Sequence, residues 1–339
     1  MKKIKIFILV CVIVVLILFV LSLRKIPDKI EYGVSFSKFH SDELEVDWRE
    51  VYVALLDDLE VRKFRFSAHW PNTEPEDNSF NFSELDFQMN EARKRGASVI
   101  LAVGRRLPGW PECHEPDWLA EKISGIAEED KKRQFKGEQL LKYIETVVNR
   151  YKDYNNILYW QVENEPYLAF FSRSMCGDLD EELLEKEIEL IRTLDPERPI
   201  LITAAGEFDS WFPAYKRGDV FGSSLYLYVW WKTGPIRYPI FPGFFRIKQS
   251  LVDIFYGKKT KILIELSSEP WLLQPIVTAD IDTILDRMGI DKFNEIINFA
   301  EESGFSSQYL WGAEWWYWMK ENQNHPEFWE RARQLFGVD

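Results

Sequence analysis

Two glutamates, each at the end of an apolar run, carry the strongest chemical signal in this sequence. In Tyr159-Trp160-Gln161-Val162-Glu163-Asn164-Glu165-Pro166-Tyr167, residues 157–162 read as a short buried strand, and Pro166 forces the chain out of it. Further along, Lys261-Ile262-Leu263-Ile264-Glu265-Leu266 delivers a second carboxylate in the same way. Glycoside hydrolysis needs such a pair: one group protonates the leaving oxygen, and the other attacks the sugar or activates water. Glu163 precedes Glu165 by two residues, so it shares that side of the strand one layer deeper. It reads as a buried partner for a basic group such as Arg65.

Two carboxylates so far apart in sequence meet only if a sheet brings their strands together. Strand-like runs fall at residues 32–37, 63–67, 98–103, 157–162, 199–203, 220–226, 261–266 and 307–312. Helical segments lie between several of them. Asp47 is an N-cap for a helix over 48–59, and Ser83-x-x-Asp86 opens another in capping-box style, closed by Gly96. Further helices are expected around Leu140 to Val148 and over 181–194, 292–302 and 328–336. Eight short strands alternating with helices predict the α/β class, with a parallel sheet closed into a (β/α)8 TIM barrel. Chemistry in such barrels sits at the strands' C-terminal ends, where both glutamates fall. The long connections at 104–125, 167–178 and 229–245, rich in proline or aromatic residues, are candidate cleft walls.

The chain's 339 residues exceed a usual domain but suit one barrel of about 250 residues with long loops. Net charge is −13, and residues 1–25 contribute five basic groups and no acid, so the remainder is more acidic still. Such a body repels phosphate backbones, which argues against a nucleic-acid partner. Aromatic residues reach 15% with 14 Trp, more than core packing requires and enough for a sugar-stacking cleft.

Residues 6–23 carry no charge and are long enough to cross most of a bilayer core. The run exceeds a signal peptide's apolar region of about 7–15 residues, and no small-x-small site follows before Arg24. The expected organisation is therefore a membrane anchor over 1–25, a connector over 26–31 and a catalytic domain over 32–339. A cleaved signal peptide is the competing reading. Lys2, Lys3 and Lys5 place the N-terminus inside and the body outside the cytoplasm. There, with Cys11 in the anchor, Cys113 and Cys176 form an even pair in loops after the third and fourth strands. They are expected to make a disulfide, against the alternative of two unrelated thiols.

The four His show no ligand spacing, and there is no glycine-rich phosphate loop and no nucleophile elbow. No metal or cofactor is expected. The partners expected are a carbohydrate substrate and, through the N-terminal helix, a membrane; oligomeric state is not legible.

The pattern resembles the clan A glycoside hydrolases, retaining TIM-barrel enzymes with an Asn-Glu at the end of strand four and a Glu at the end of strand seven. Trp160-x-x-x-Asn164-Glu165-Pro166 matches the first motif and Lys261-x-x-x-Glu265 the second. Arg65-x-x-x-x-Trp70, Glu74-Pro75 and Phe80-Asn81-Phe82-Ser83-x-Leu85-Asp86 are similar to the second-strand region of the beta-galactosidase-like branch. The resemblance implies Glu165 as general acid/base and Glu265 as nucleophile, with Asn164 on the sugar's 2-hydroxyl and Trp311 as a stacking platform. Arg65 and Tyr226 are candidate donors to Glu265, and Trp70 a further substrate contact. Glu269, before Pro270, reads as a loop residue that binds substrate or caps a helix. Trp110, Trp230, Trp315 and Trp316 each read equally well as cleft or core. Two other functions share these features: a glycan-binding barrel without hydrolysis, and a transglycosylase using the same covalent intermediate.

Overall fold

A computed structural model describes residues 2–109, 112–231 and 234–338. After an apolar helix α1 (Lys2–Ser22), the first barrel strands and their helices alternate: β1 (Glu31–Ser35), α2 (Lys38–Glu43), α3 (Trp48–Asp57), β2 (Lys63–Ser67), α4 (Trp70–Thr73), α5 (Ser83–Lys94) and β3 (Ser98–Val103). Next come α6 (Asp117–Ser124), α7 (Glu129–Tyr151), β4 (Ile157–Val162), α8 (Ala169–Cys176), α9 (Glu181–Leu194), β5 (Ile200–Ala204), α10 (Phe212–Arg217) and β6 (Val220–Leu225). A two-stranded antiparallel hairpin, β7 (Tyr228–Trp231) and β8 (Gly234–Arg237), precedes α11 (Pro242–Tyr256) and β9 (Thr260–Ser267). The chain closes with α12 (Ile281–Arg287), α13 (Ile290–Glu301), β10 (Ser307–Trp311), α14 (Ala313–Asn322) and α15 (Glu327–Phe336).

Apart from the hairpin, the strands form one closed parallel barrel in the order β1-β10-β9-β6-β5-β4-β3-β2. Strands buried on both faces read as continuous apolar runs, and Val99 to Val103 of β3 are all fully buried. Alternation sorts them: Val99, Leu101 and Val103 join the layer beneath the helices, whereas Ile100 meets Leu201, Val220, Ile262, Ile264 and Tyr309 in a separate cluster filling the barrel.

Asp47 caps α3 by accepting the Arg49 N–H at 2.8 Å. The capping box expected at Ser83 does not form. Phe82 is the N-cap of α5 without a side-chain bond, and Asn81 Oδ1 takes the Ser83 N–H instead. The expected long loops hold structure of their own: α6 within 104–125, α8 within 167–178, and the hairpin with the start of α11 within 229–245. Each adds a wall to the strands' C-terminal end. Cys113 and Cys176 form a disulfide, with Cα atoms 5.5 Å apart, tying the β3 loop to the end of α8.

Candidate functional site

The site begins where β4 stops. Glu163 (φ 56°) and Glu165 (φ 46°) both adopt the left-handed conformation, which is costly for residues with a Cβ and is found where surrounding bonds impose it. Those bonds are present: Glu163 N–H donates to Val103 O (2.9 Å), Asn164 N–H to Arg106 O (2.7 Å) and Glu165 N–H to Thr203 Oγ1 (2.7 Å). Strand alternation therefore ends at Val162, and the expected layering of Glu163 beneath Glu165 is replaced by a turn.

Glu163 does not partner Arg65. Its Oε1 and Oε2 accept the backbone N–H groups of Arg105 (3.0 Å) and Arg106 (2.7 Å), and Glu187 hydrogen-bonds to it from α9. Gly104 (φ 133°) makes room, since a Cβ there would stand 2.6 Å from Glu163 Oε1. The side chain thus splints the β3 and β4 loops.

Arg65, on β2 and 1% exposed, directs its fork into the barrel mouth. Nη1 meets Glu265 Oε2 at 2.7 Å, Nη2 donates to Asn164 Oδ1 at 2.6 Å and Nε to Gln161 Oε1 at 2.8 Å. Tyr226 Oη donates to the other Glu265 oxygen at 2.6 Å. Strict alternation from Ile264, which fills the barrel, would turn Glu265 outward. The β9 register shifts at this point, with Ser223 opposite Leu263 but Ser224 opposite Glu265. A bulge of this kind re-aims a side chain, and here it points Glu265 inward.

Glu165 is treated differently. It is buried, its Oε1 has no hydrogen-bond partner among the described residues, and Ser224 hydrogen-bonds to the carboxyl. Burial first, then the negative charge of Glu265, hold its carboxyl well above the usual range. The mouth therefore combines one carboxyl that favours its proton with a second that accepts two donors. Around them stand Glu112, paired with Arg106 at 2.8 Å, and Asp209, which burial pushes up to about 6.

Asn164 Oδ1 takes Arg65, with Gln161 Nε2 and Thr203 Oγ1 each at 3.4 Å, so among the described residues the amide nitrogen is left open to a ligand. Glu269 caps no helix. It lies between Trp311, whose Nε1 donates to Oε1 at 2.7 Å, and His40, whose Nε2 is 2.5 Å from Oε2. Burial opposes protonation of His40, but Glu269 and Glu43 outweigh it and raise the imidazole well above its ordinary value. Trp311 is 9% exposed and stacks on His40 at 5.7 Å.

Trp70 is not in the mouth. It is 1% exposed, stacks on Tyr143 at 5.3 Å and donates to Glu74 at 2.7 Å, a core position beside α7. Trp315 and Trp316 are fully buried in α14, so they too are core. Trp230 stays half-buried beside the mouth, donating to Trp271 O at 2.9 Å, while Tyr226 packs edge-on to Trp271 at 5.8 Å. Trp110 lies outside the described residues. Among the described residues, no cluster of three or more His, Cys, Asp or Glu could hold a metal ion. Sequence reasoning missed Gln161 and Thr203, which read as ordinary strand residues.

Residues 45–197, just under half of the chain, match the glycoside hydrolase family 42 model, described as beta-galactosidase. The chain resembles the clan A glycoside hydrolases in sequence and fold. In sequence, the chain is similar to beta-galactosidase BgaA of Planococcus sp. (strain 'SOS Orange'), 26% identical over 169 residues. That alignment spans 45% of this chain and 24% of the relative, so the chain matches only about a quarter of the relative's length. In fold, the chain is similar to the cold-adapted beta-galactosidase from Rahnella sp. R3, with a TM-score of 0.59 at 12% identity over 93% of this chain and 56% of that one. It is also similar to GH5_18 from Bifidobacterium longum, with a TM-score of 0.59 at 13% identity over 84% and 70% of the two chains.

Proposed function

We propose that this chain is a retaining glycoside hydrolase acting on a β-linked glycan, held outside the cytoplasm by α1 as an uncleaved anchor. The observation that carries the reading is the unequal treatment of two carboxyls in one barrel mouth. Burial and its neighbour's charge raise the Glu165 carboxyl well above its ordinary pKa, whereas Glu265 receives Arg65 and Tyr226. A proton donor beside an ionised nucleophile is what double displacement requires.

Glu265 attacks the anomeric carbon as the bond to the leaving oxygen breaks, and Glu165 gives that oxygen its proton. Glu165 then removes a proton from water, which attacks the same carbon and frees Glu265. Asn164 offers its amide to the 2-hydroxyl, an interaction that strengthens as positive charge develops on the sugar. Glu269 fixes the indole of Trp311 as a floor for the sugar ring. The residues matched to the family model make β-galactosides the first substrates to try.

The test is a Glu265→Ala variant assayed on nitrophenyl β-glycosides. Activity should vanish and return with azide, which supplies a small nucleophile; wild-type turnover in the variant would sink the assignment. Product analysis with an added acceptor sugar separates hydrolysis from transglycosylation.

A further inference from the structure

Away from the mouth, exposed large apolar side chains gather on one helix of the barrel. Phe241, the N-cap of α11, is 58% exposed, and Ile254, Phe255 and Tyr256 at its other end are 65%, 67% and 42% exposed. Phe212 of α10 extends the second group, its ring 5.4 Å from that of Phe255. Phe245, Gln249 and Val252 of α11 cover the barrel, and Tyr256 extends that side against Tyr215, whereas Ile254 points away from it. Single exposed apolar residues are ordinary, but a cluster of this kind marks a contact surface.

The same helix receives the end of α1. Arg246 Nε donates to Ser22 O at 2.7 Å, Ser250 Oγ to Leu21 O at 3.1 Å, and Arg24 pairs with Asp253 at 2.5 Å. With Gly243, whose Cβ would meet Ser22 at 3.3 Å, these residues form one stripe along α11. The bonds satisfy carbonyls that a helix C-terminus leaves open, and Arg246 sets positive charge against the negative end of the α1 dipole. Asp253 is held in turn by Lys261 at 2.5 Å and by Tyr215 at 2.8 Å. The joint between α1 and the barrel is therefore braced, while residues 3–20 of α1 stand exposed and are apolar enough to cross a membrane.

We propose that the outer face of α11 rests on the bilayer that α1 spans, in the lipid headgroup region. This rests on the anchor reading given above. Leu23 and Ile26, just beyond α1, are exposed as Phe241, Ile254 and Phe255 are, and the bonds from α11 to Leu21, Ser22 and Arg24 hold the two segments together. Lys29 and Lys258 are exposed on the segments beside it and suit anionic headgroups, while Lys25 is paired with Asp28 at 2.6 Å. Because α11 runs from the hairpin beside the mouth to the foot of β9, contact at both its ends lays the barrel on its side. The mouth then opens along the membrane surface, within reach of glycans held there.

The test uses the full chain in vesicles of phosphatidylcholine and phosphatidylglycerol. With Cys11 replaced by Ser, an environment-sensitive fluorophore is placed at Ile254→Cys or, across the barrel on α5, at Lys94→Cys. Nitroxide on the lipid headgroup should quench the first label several-fold more than the second and shift its emission to the blue. Equal quenching in protein that floats with the vesicles would overturn the docking and leave the anchor standing. Protein that fails to float would overturn both.

Discussion

Arg65 and Glu265, 200 residues apart in sequence, form a buried ion pair at 2.7 Å across the barrel mouth. Removing one partner of such a pair strands the other, which costs about 3–5 kcal/mol. Arg65→Ala should therefore lose both activity and stability, measured as turnover and denaturation midpoint. Arg65→Lys keeps the charge but not the fork that reaches Gln161, Asn164 and Glu265 together. It should recover more stability than activity; equal recovery of both would place Arg65 outside the chemistry.

Tyr226→Phe removes one donor to Glu265 and leaves the ring against Trp271. A hydrogen bond to a charged group contributes about 1.5–3 kcal/mol, so kcat/KM should fall roughly 10- to 100-fold. The same bond is made in the resting folded state, so the thermal midpoint should fall as well. An unchanged kcat/KM would show that the phenol does not serve the reacting carboxylate.

How much of this was legible in the sequence differs between the two glutamates. Glu165 announces itself because an apolar strand stops at an Asn-Glu-Pro. Glu265 lies on a strand equally clear, but its inward direction depends on a register shift against β6 that no pattern within Lys261 to Leu266 encodes. Gln161 and Thr203 act only through neighbours on other strands. Trp315 and Trp316 misled because four aromatics among consecutive residues show no period; Gly312 at φ 108° starts a helix there and buries both. The prolines and aromatics that suggested a cleft wall over 229–245 also hid the start of α11, whose first residue is Pro242.

In the proposed mechanism Glu165 carries a proton into the first step, and its folded pKa lies above its ordinary value. Activity should hold below that pKa and fall as pH rises through it. Glu165→Gln removes the titration, so the alkaline limb should disappear. With a nitrophenol leaving group, which departs without a proton, the variant should still form the covalent intermediate and then stall, giving a burst followed by slow turnover. A variant retaining the wild-type alkaline limb would assign it to another group.

The Cys113–Cys176 disulfide closes a loop with a sequence separation of 63. In the chain-entropy model such a loop contributes about 4 kcal/mol. Double replacement by Ser should lower the denaturation midpoint accordingly. It should also loosen Glu112, adjacent to Cys113 and held to Arg106, so KM should rise more than kcat falls. A stable variant with unchanged kinetics would separate the bridge from the mouth.

Glu314 offers the clearest link between pH and stability. It is fully buried, one oxygen accepts the Ser37 N–H at 2.6 Å, and the other has no partner among the described residues. Burial raises its pKa to about 7 from 4.5, against the opposing effect of His40. Since the folded pKa is the higher one, the folded state binds the proton more tightly. The resulting stability is present below the unfolded pKa and is lost as pH rises towards about 7. Glu207, also raised to about 7, and Asp209, to about 6, act in the same direction. Glu314→Gln replaces a protonated acid with a neutral amide of the same shape. The variant should match wild type near pH 4.5 and exceed it above pH 7, by roughly 3 kcal/mol at the upper bound. Urea denaturation at both ends of that range measures the difference. A constant offset would mean that Glu314 does not change protonation on unfolding.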